Sequence, residues 1–221
     1  MNKESAIKIA EFLLDIKAIK LQPSKPFLWS SGWKSPIYCD NRKTLSYPKI
    51  RDYICDAFID YIEKNFGKPH VIVGVATGGI AHGALVAQKM NLPFAYVRSE
   101  AKVHGLSNLI EGVVGAGQNA VVIEDLVSTG ASSLKAVEAI IRVGGNVKGM
   151  VSIFNYNFKT TEDNFKKIKC DLFSLCNYEI LIQQAVKKNY VSKEDMNSLK
   201  AWRENPSEWG NITGAVPIKM R

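Results

Sequence analysis

The sequence predicts an α/β fold with a mainly parallel central sheet, and three observations support this class. Short apolar runs alternate with helical segments from about residue 70 onward, an order typical of βαβ units. Polar and glycine-rich stretches follow two of these runs, and ligands of parallel sheets bind beyond the carboxyl ends of the strands. The length of 221 residues suits one domain with a small extra lobe.

The first 45 residues predict a helix followed by irregular structure. Apolar residues recur at helical intervals over residues 4–20, which indicates an opening helix. The stretch 21–42 is rich in Pro, Ser, Gly and aromatic residues, and it predicts hairpins or loops. A second helix is expected over 49–66, because an apolar stripe ends there at Gly67 and Pro69.

The remaining elements follow from apolar runs and their period. Helices are expected over 79–90, 132–143 and 162–167, and strands over 70–76, 93–98, 120–125, 147–155 and 170–175. Two further helices are expected at the C-terminus. The second begins at Ser192, where Asp195 three residues later resembles a capping box.

Composition and charge exclude several classes of protein. The 46% hydrophobic and 23% charged residues are typical of a soluble globular protein. No apolar run reaches the roughly 18–20 residues that span a bilayer, and Glu4, Glu11 and Asp15 interrupt any signal peptide. We therefore expect a cytoplasmic protein without a membrane partner. Four scattered cysteines without a CxxC pair indicate neither zinc nor redox chemistry.

The net charge of +8 suits an anionic partner. The lysines are spread along the chain, and neither a zinc-finger spacing nor an aromatic RNA-binding motif is present. We therefore expect no nucleic-acid partner. A polyanionic metabolite fits the charge at least as well.

The stretch VVIEDLVSTGAS, residues 121–132, combines an anion site with two acids. Ser, Thr and Gly at a strand-to-helix turn let backbone N–H groups converge on an anion such as phosphate. The stretch is neither a Walker A loop nor a GxGxxG fingerprint, and an ordinary helix cap remains the alternative. Glu124 and Asp125 point to opposite faces as strand neighbours. Together these features fit a sugar phosphate whose hydroxyls meet the acids.

This stretch resembles the phosphoribosyl pyrophosphate (PRPP) binding motif of the type I phosphoribosyltransferases, in which two acids, two apolar residues, Ser/Thr and Gly follow an apolar run. The resemblance implies a Rossmann-like core, PRPP as the donor, Mg²⁺ held mainly by PRPP rather than by the protein, and displacement of pyrophosphate by a base nitrogen. PRPP-binding positions are then Glu124, Asp125, Leu126, Val127, Ser128, Thr129, Gly130, Ala131 and Ser132. Ala76, Thr77 and Gly78 would form the pyrophosphate loop.

Two further stretches are similar to the orotate phosphoribosyltransferase family. Residues 98–105, RSEAKVHG, match its mobile catalytic loop, and residues 27–42 match the N-terminal hood that covers the orotate. The resemblance implies that Arg98, Lys102 and His104 bind the pyrophosphate of PRPP, with Lys102 and Asp125 as catalytic residues. It also implies a homodimer in which the loop reaches the neighbouring subunit's site. Orotate would contact Ser128, Tyr156, Tyr38 and Arg42.

Three positions depart from the commonest family pattern. Ser99 stands where a lysine often follows Arg98, and no lysine occurs near Thr77 and Gly78. Asn155-Tyr156 stands where an Asp-Arg pair often binds the orotate carboxylate, and tyrosine cannot replace a bidentate arginine. Arg42 and Lys34 are the candidate substitutes.

The sequence thus predicts a single phosphoribosyltransferase domain over 1–221, with a hood at about 1–45, a core at 46–175 and a C-terminal helical extension at 176–221. The expected reaction converts orotate and PRPP to orotidine 5′-phosphate and pyrophosphate, in pyrimidine synthesis. Three alternatives stay open. They are a related enzyme for a purine or uracil, a non-catalytic PRPP-binding regulator, and an unrelated α/β protein with an accidental motif.

Overall fold

The N-terminal part of the chain combines helices with short strands. The computed structural model describes residues 3–29, 32–100, 109–209 and 218–219. The N-terminal elements are α1 (Lys3–Asp15), β1 (Ile19–Leu21), β2 (Phe27–Leu28), β3 (Lys34–Ser35), β4 (Ile37–Cys39), a 3-10 helix (Asn41–Ser46) and α2 (Pro48–Asn65). β1 pairs with β4 and β2 with β3, both antiparallel. The predicted hairpin structure of this region is confirmed.

The opening helix is shorter than predicted. It ends at Asp15 instead of residue 20, because Lys17 takes a left-handed conformation (φ 53°) and the chain then enters β1. Pairing of Ile19 with Cys39 overrides the local helical pattern at this point.

The central sheet and its helices follow in alternation. They are β5 (Val71–Val75), α3 (Gly78–Met90), β6 (Phe94–Val97), β7 (Ile110–Glu111), β8 (Asn119–Val127), α4 (Ala131–Arg142), β9 (Asn146–Asn155), α5 (Lys159–Lys167) and β10 (Leu172–Asn177). The strand order is β10-β9-β8-β5-β6-β7, and every pair is parallel except β6–β7. The predicted α/β class with a mainly parallel sheet is confirmed.

Alternate residues of the inner strands pack on opposite faces of the sheet. Val71, Val73 and Val75 of β5 belong to the core under α4 and α5, which also holds Val122 of β8. Ile72 of β5 belongs to the other core, which is formed with α1, α2 and α3. Both faces are therefore covered, as expected for a parallel sheet.

Two details of the sheet differ from the prediction. β8 does not end at the acids but continues to Val127, because Leu126 and Val127 pair with Phe154 and Asn155 of β9. The short edge strand β7 was not predicted, since two residues carry no periodic signal. It pairs with β6 directly after the segment 101–108.

The C-terminal region forms α6 (Tyr178–Lys187), α7 (Asp195–Glu204) and β11 (Ile218–Lys219). The predicted capping interaction is confirmed: the Ser192 backbone N–H donates to Asp195 Oδ2 at 3.0 Å, and the Asp195 N–H donates to Ser192 Oγ at 3.2 Å. Helix α7 itself begins at Asp195 rather than at Ser192. β11 adds to the hood by pairing in parallel with β2.

None of the helices in the described part of the chain is long and apolar enough to cross a membrane.

Candidate active site

The two acids of β8 leave opposite faces of the strand, as predicted, but their carboxyl groups approach each other at its carboxyl end. Glu124 is buried, and its Oε2 accepts a hydrogen bond from Ser133 Oγ of α4 at 3.2 Å. Its Oε1 accepts from the Asp125 N–H at 3.1 Å. Asp125 faces the other side, where the hood and the N-terminus of α3 lie. One acid is therefore held against α4, and the other faces the hood.

Burial disfavours the ionised form of both acids. Burial raises the pKa of Glu124 well above its ordinary value, and the neighbouring Asp125 carboxyl group adds to this shift. Burial also raises the pKa of Asp125, although a hydrogen bond with Glu124 and the nearby Arg42 guanidinium oppose the shift. Two adjacent carboxyl groups of this kind gain from a bound cation or from sugar hydroxyls that donate to them.

The loop after β5 touches the end of β8 because its glycines lack side chains. A Cβ on Gly78 would overlap with the carboxyl group of Asp125, and a Cβ on Gly79 would overlap with the Ile123 carbonyl oxygen. The Ala76–Thr77 peptide bond in this loop is cis. The predicted pyrophosphate loop, Ala76, Thr77 and Gly78, therefore lies directly against one of the predicted catalytic residues.

The segment 128–132 forms an open turn at the N-terminus of α4. Gly130 is the N-cap, with φ 83°, and no side chain accepts a hydrogen bond from the first turn. Thr161 Oγ1 donates to the Ser128 carbonyl oxygen and ties the turn to α5. Thr129, Ala131 and Ser132 are exposed. The N–H groups of the first helical turn are thus available to an anion.

A cavity of about 340 Å³ joins these features. Its walls come from β8, the loop after β5, the first turn of α4 and the hood. It is lined by Cys39, Asp40, Arg42, Ala76, Thr77, Gly78, Glu124, Asp125, Leu126 and Ser132. Residues from three distant parts of the sequence therefore converge on one polar cleft at the carboxyl ends of parallel strands.

Comparison with known proteins identifies this arrangement. A model of the phosphoribosyl transferase domain family matches residues 45–187. The orotate phosphoribosyltransferase of Phocaeicola vulgatus is 55% identical over 200 residues, which cover 90% of this chain and 94% of that protein. This chain belongs to the orotate phosphoribosyltransferase family.

Solved structures agree with this family in fold. The orotate phosphoribosyltransferase of Aeropyrum pernix has a TM-score of 0.72 and 25% identity, over 83% of this chain and 99% of that one. The UMP synthase of Leishmania donovani has a TM-score of 0.77 and 25% identity, over 91% of this chain and 42% of that one. The resemblance inferred from the motifs at 27–42, 98–105 and 121–132 is therefore confirmed at the level of family and fold.

Among the predicted orotate-binding residues, Arg42 is the one that lines the cavity. Its Nε donates to Asp40 Oδ1 at 2.7 Å, and its side chain is more than half exposed. Ser128, at the end of the phosphate turn, and half-buried Tyr38, whose ring packs on Phe27 at 5.7 Å, lie outside the lining. Direct contacts of Ser128 and Tyr38 with orotate stay predictions.

Tyr156 lies in an aromatic cluster. Its side chain is 1% exposed, and its ring packs against Phe154, Phe158, Trp29, Tyr178 and Trp202. Burial raises the pKa of its hydroxyl well above the ordinary value, so the group stays neutral. In this structure Tyr156 stabilises the contact between β9, the hood and α7. An additional contact with orotate stays a prediction.

Arg98 follows β6 at the same edge of the sheet. Its backbone N–H donates to the Leu109 carbonyl oxygen at 2.8 Å, and its guanidinium lies 3.6 Å from the Glu111 carboxylate. Lys102 and His104 lie outside the described residues. The described residues on either side of the segment 101–108 are therefore held together beside the cleft.

Sequence reasoning missed Asn41. This residue is fully buried, and its Nδ2 donates to the Asp125 carbonyl oxygen at 2.7 Å. Its own carbonyl oxygen accepts from Thr44 Oγ1 at 2.6 Å, and Thr44 Oγ1 lies 3.2 Å from His82 Nε2. Asn41 and Asp125 are 84 positions apart, so no local pattern could have indicated the contact.

Proposed function

We propose that this protein transfers the 5-phosphoribosyl group from PRPP to orotate, giving orotidine 5′-phosphate and pyrophosphate. The observation that carries the proposal is the cleft that both acids of β8 line, in which Asp125 touches Gly78 of the loop 76–78 beside the open N-terminus of α4. This combination of carboxyl groups, loop and helix N-terminus suits a ligand that carries a phosphate, a polyhydroxylated sugar and a second phosphate group. The choice of orotate rests on relatives of that name that are up to 55% identical.

The turn 128–132 would hold the 5′-phosphate. Backbone N–H groups at the start of α4 and the hydroxyls of Thr129 and Ser132 are the available donors. The ribose would then extend along β8 toward Asp125. In this position the carboxyl groups of Glu124 and Asp125 accept hydrogen bonds from ribose hydroxyls and stabilise positive charge at the reacting carbon.

In the reaction, the bond between the ribose carbon C1 and the pyrophosphate oxygen breaks, and a nitrogen of orotate forms a new bond to that carbon. Negative charge grows on the departing pyrophosphate. Backbone N–H groups of Thr77 and Gly78 and the cation of Arg98 would stabilise it, since the Ala76 N–H already donates to the Val97 carbonyl oxygen at 2.8 Å. We assign the same role to Lys102, as the main catalytic cation, and to His104.

The residues of the cleft fit a magnesium ion held mainly by the substrate. Mg²⁺ prefers oxygen ligands and is commonly bound through one or two carboxylates together with substrate phosphates. Asp125 and Glu124, which both line the cleft, are the carboxylates that could supplement the substrate's own oxygens. No cluster of three His, Cys, Asp or Glu within the described ranges could hold a metal by itself. Bound Mg²⁺ would neutralise charge on the pyrophosphate.

We further propose a homodimer in which the segment carrying Lys102 and His104 enters the neighbouring subunit's cleft. Mixing inactive Lys102→Ala and Asp125→Asn subunits tests this. Hybrid dimers with a shared loop contain one intact site, so mixing restores about a quarter of the wild-type activity. Failure of the mixed protein to regain activity after subunit exchange would show that each loop serves its own site. Our proposal also includes a cytoplasmic location.

A phosphoribosyltransferase for a purine or uracil is the second candidate, and burial of Tyr156 where an arginine often stands favours it. A non-catalytic PRPP-binding regulator would bind nucleic acid with a steep salt dependence.

The deciding experiment follows orotate absorbance with purified protein, PRPP and Mg²⁺. Hypoxanthine, adenine and uracil are tested in parallel, and Lys102→Ala is the control. We expect orotate consumption that needs both PRPP and Mg²⁺. Turnover of another base instead would refute the assignment.

A further inference from the structure

A second, smaller cavity adjoins the cleft and differs from it in charge. It measures about 120 Å³ and is lined by Val75, Ala76, Val97, Arg98, Ser99, Ser132, Lys135 and Ala136. Ala76 and Ser132 also line the larger cleft, so the two cavities are direct neighbours. The smaller one therefore lies in the same binding region, and Lys135 is the charged residue of its lining to which no role has been assigned.

The charges of the two cavities are opposite. The larger cleft is lined by three carboxyl groups, Asp40, Glu124 and Asp125, against the single cation Arg42. Among the described residues, the smaller cavity is lined by two cationic residues, Arg98 and Lys135, and by Ser99 and Ser132, and none of its lining residues is acidic. A substrate with a polyhydroxylated part and a strongly anionic part would lie across both cavities, with the anionic part between the cations.

Lys135 is available for an external anion. It is exposed, and it makes no ion pair or hydrogen bond with the described residues. Glu138, three positions further along α4, pairs with Arg142 at 3.6 Å instead. Helical side chains lean toward the N-terminus of their helix, which directs Lys135 toward the end of α4 that borders the cleft.

The position of the cavity favours the diphosphate group over the 5′-phosphate. The cavity extends from Ser132, the last residue of the 5′-phosphate turn, and Lys135 of α4 to the ends of β5 and β6 and the first residue of the loop 76–78, so its far side lies away from that turn. Lys135 thus extends from α4 toward the neighbouring strands. We infer that Lys135, together with Arg98, binds the diphosphate group of PRPP and the pyrophosphate product. This inference rests on the proposed function and deepens it.

Calorimetric titration of the full chain with inorganic pyrophosphate and, separately, with ribose 5-phosphate tests the inference. The variants are Lys135→Ala and Lys135→Arg. Lys148→Ala is the matched control, because Lys148 is equally exposed, lies near the amino end of β9, and its loss changes the net charge by the same amount. We expect Lys135→Ala to weaken pyrophosphate binding about tenfold, as loss of one charge-assisted contact does. Lys135→Arg should restore most of the affinity, and ribose 5-phosphate binding should not change.

Every other outcome contradicts the inference. Weaker binding of ribose 5-phosphate by Lys135→Ala would assign Lys135 to the 5′-phosphate. An equal loss of pyrophosphate affinity in Lys148→Ala would show that the effect comes from the net charge of the protein and not from the position of Lys135. Unchanged pyrophosphate affinity, or no pyrophosphate binding by the wild-type protein, would remove the role altogether. Failure of the proposed function would be seen separately, as a wild-type protein that consumes no orotate.

Discussion

The substitution Gly78→Ala places one methyl group where the Asp125 carboxyl group now lies. Gly78 is the first residue of α3 and has no left-handed conformation, so alanine suits its backbone and helix propensity favours the change. The neighbouring carboxyl group belongs to a short side chain that can rotate away. The protein should therefore fold normally while its predicted catalytic carboxylate is displaced.

The size of the effect follows from the overlap. The carboxyl group has to retreat by roughly 1 Å or more to reach ordinary contact, and a misplacement of that size in a catalytic site costs about a hundredfold in rate. We therefore expect kcat/KM for PRPP to fall about a hundredfold, whereas the free energy of unfolding changes by no more than about 1 kcal/mol.

Steady-state kinetics at saturating orotate, together with urea unfolding, measures both quantities. Gly115→Ala is the matched control, because a Cβ there meets the Gln118 side chain at an ordinary 3.4 Å and the residue does not line the cleft. A Gly78→Ala protein with kcat/KM within twofold of the wild type would refute the role given to the Asp125 position. A large loss of stability would show instead that Gly78 is needed for folding.

Five other substitutions test separate parts of the account. Asn41→Asp replaces the hydrogen-bond donor to the Asp125 carbonyl oxygen with an acceptor. Urea unfolding should show a free energy of unfolding that is lower by about 1–3 kcal/mol. An unchanged unfolding midpoint would show that this hydrogen bond does not stabilise the fold. Glu124→Gln should raise the melting temperature at pH 8 and abolish turnover. Burial raises the pKa of Glu124, so this residue stabilises the fold when it is protonated, and that stabilisation is lost as pH rises. The gain in melting temperature of Glu124→Gln over the wild type should therefore shrink toward low pH. A gain that stays constant with pH would contradict this explanation. Burial lowers the pKa of His82 to about 4, so stability should fall by about 3 kcal/mol as pH drops from about 6.5 to about 4, and His82→Asn should flatten this slope in urea unfolding. An equal slope in both proteins would assign the pH dependence to other groups. Arg42→Ala should raise the orotate KM about tenfold with little change in the PRPP KM, and Lys34→Ala run beside it decides between the two candidates for the orotate carboxylate.

The sheet and its ligand-binding edge were predictable because their signals are local. Alternating apolar residues in β5 and β8 determine which side chains face which helices, and this places Glu124 and Asp125 on opposite faces. The Ser192–Asp195 cap is equally local, since its partners are three residues apart. The motif 121–132 was recognisable because it joins the apolar run of a strand to the Ser, Thr and Gly residues of a turn.

The parts that could not be predicted depend on contacts between distant segments. The opening helix ends early because β1 pairs with β4, about 20 residues further on. The hydrogen bond from Asn41 to Asp125 and the packing of Tyr156 against Trp202 join segments without a shared pattern. The role of Lys135 likewise follows from the cavity that α4 forms with β5 and β6, and its sequence neighbours give no sign of it.

The central claim is that the acids of β8 hold the ribose of PRPP while its pyrophosphate is exchanged for orotate. The most direct test quantifies orotidine 5′-phosphate and pyrophosphate together, for the wild-type protein and for Asp125→Asn. We predict equal amounts of both products from the wild-type protein, no pyrophosphate when orotate is left out, and a rate at least a hundredfold lower for Asp125→Asn. Pyrophosphate release without orotidine 5′-phosphate, or full activity of Asp125→Asn, would contradict the claim.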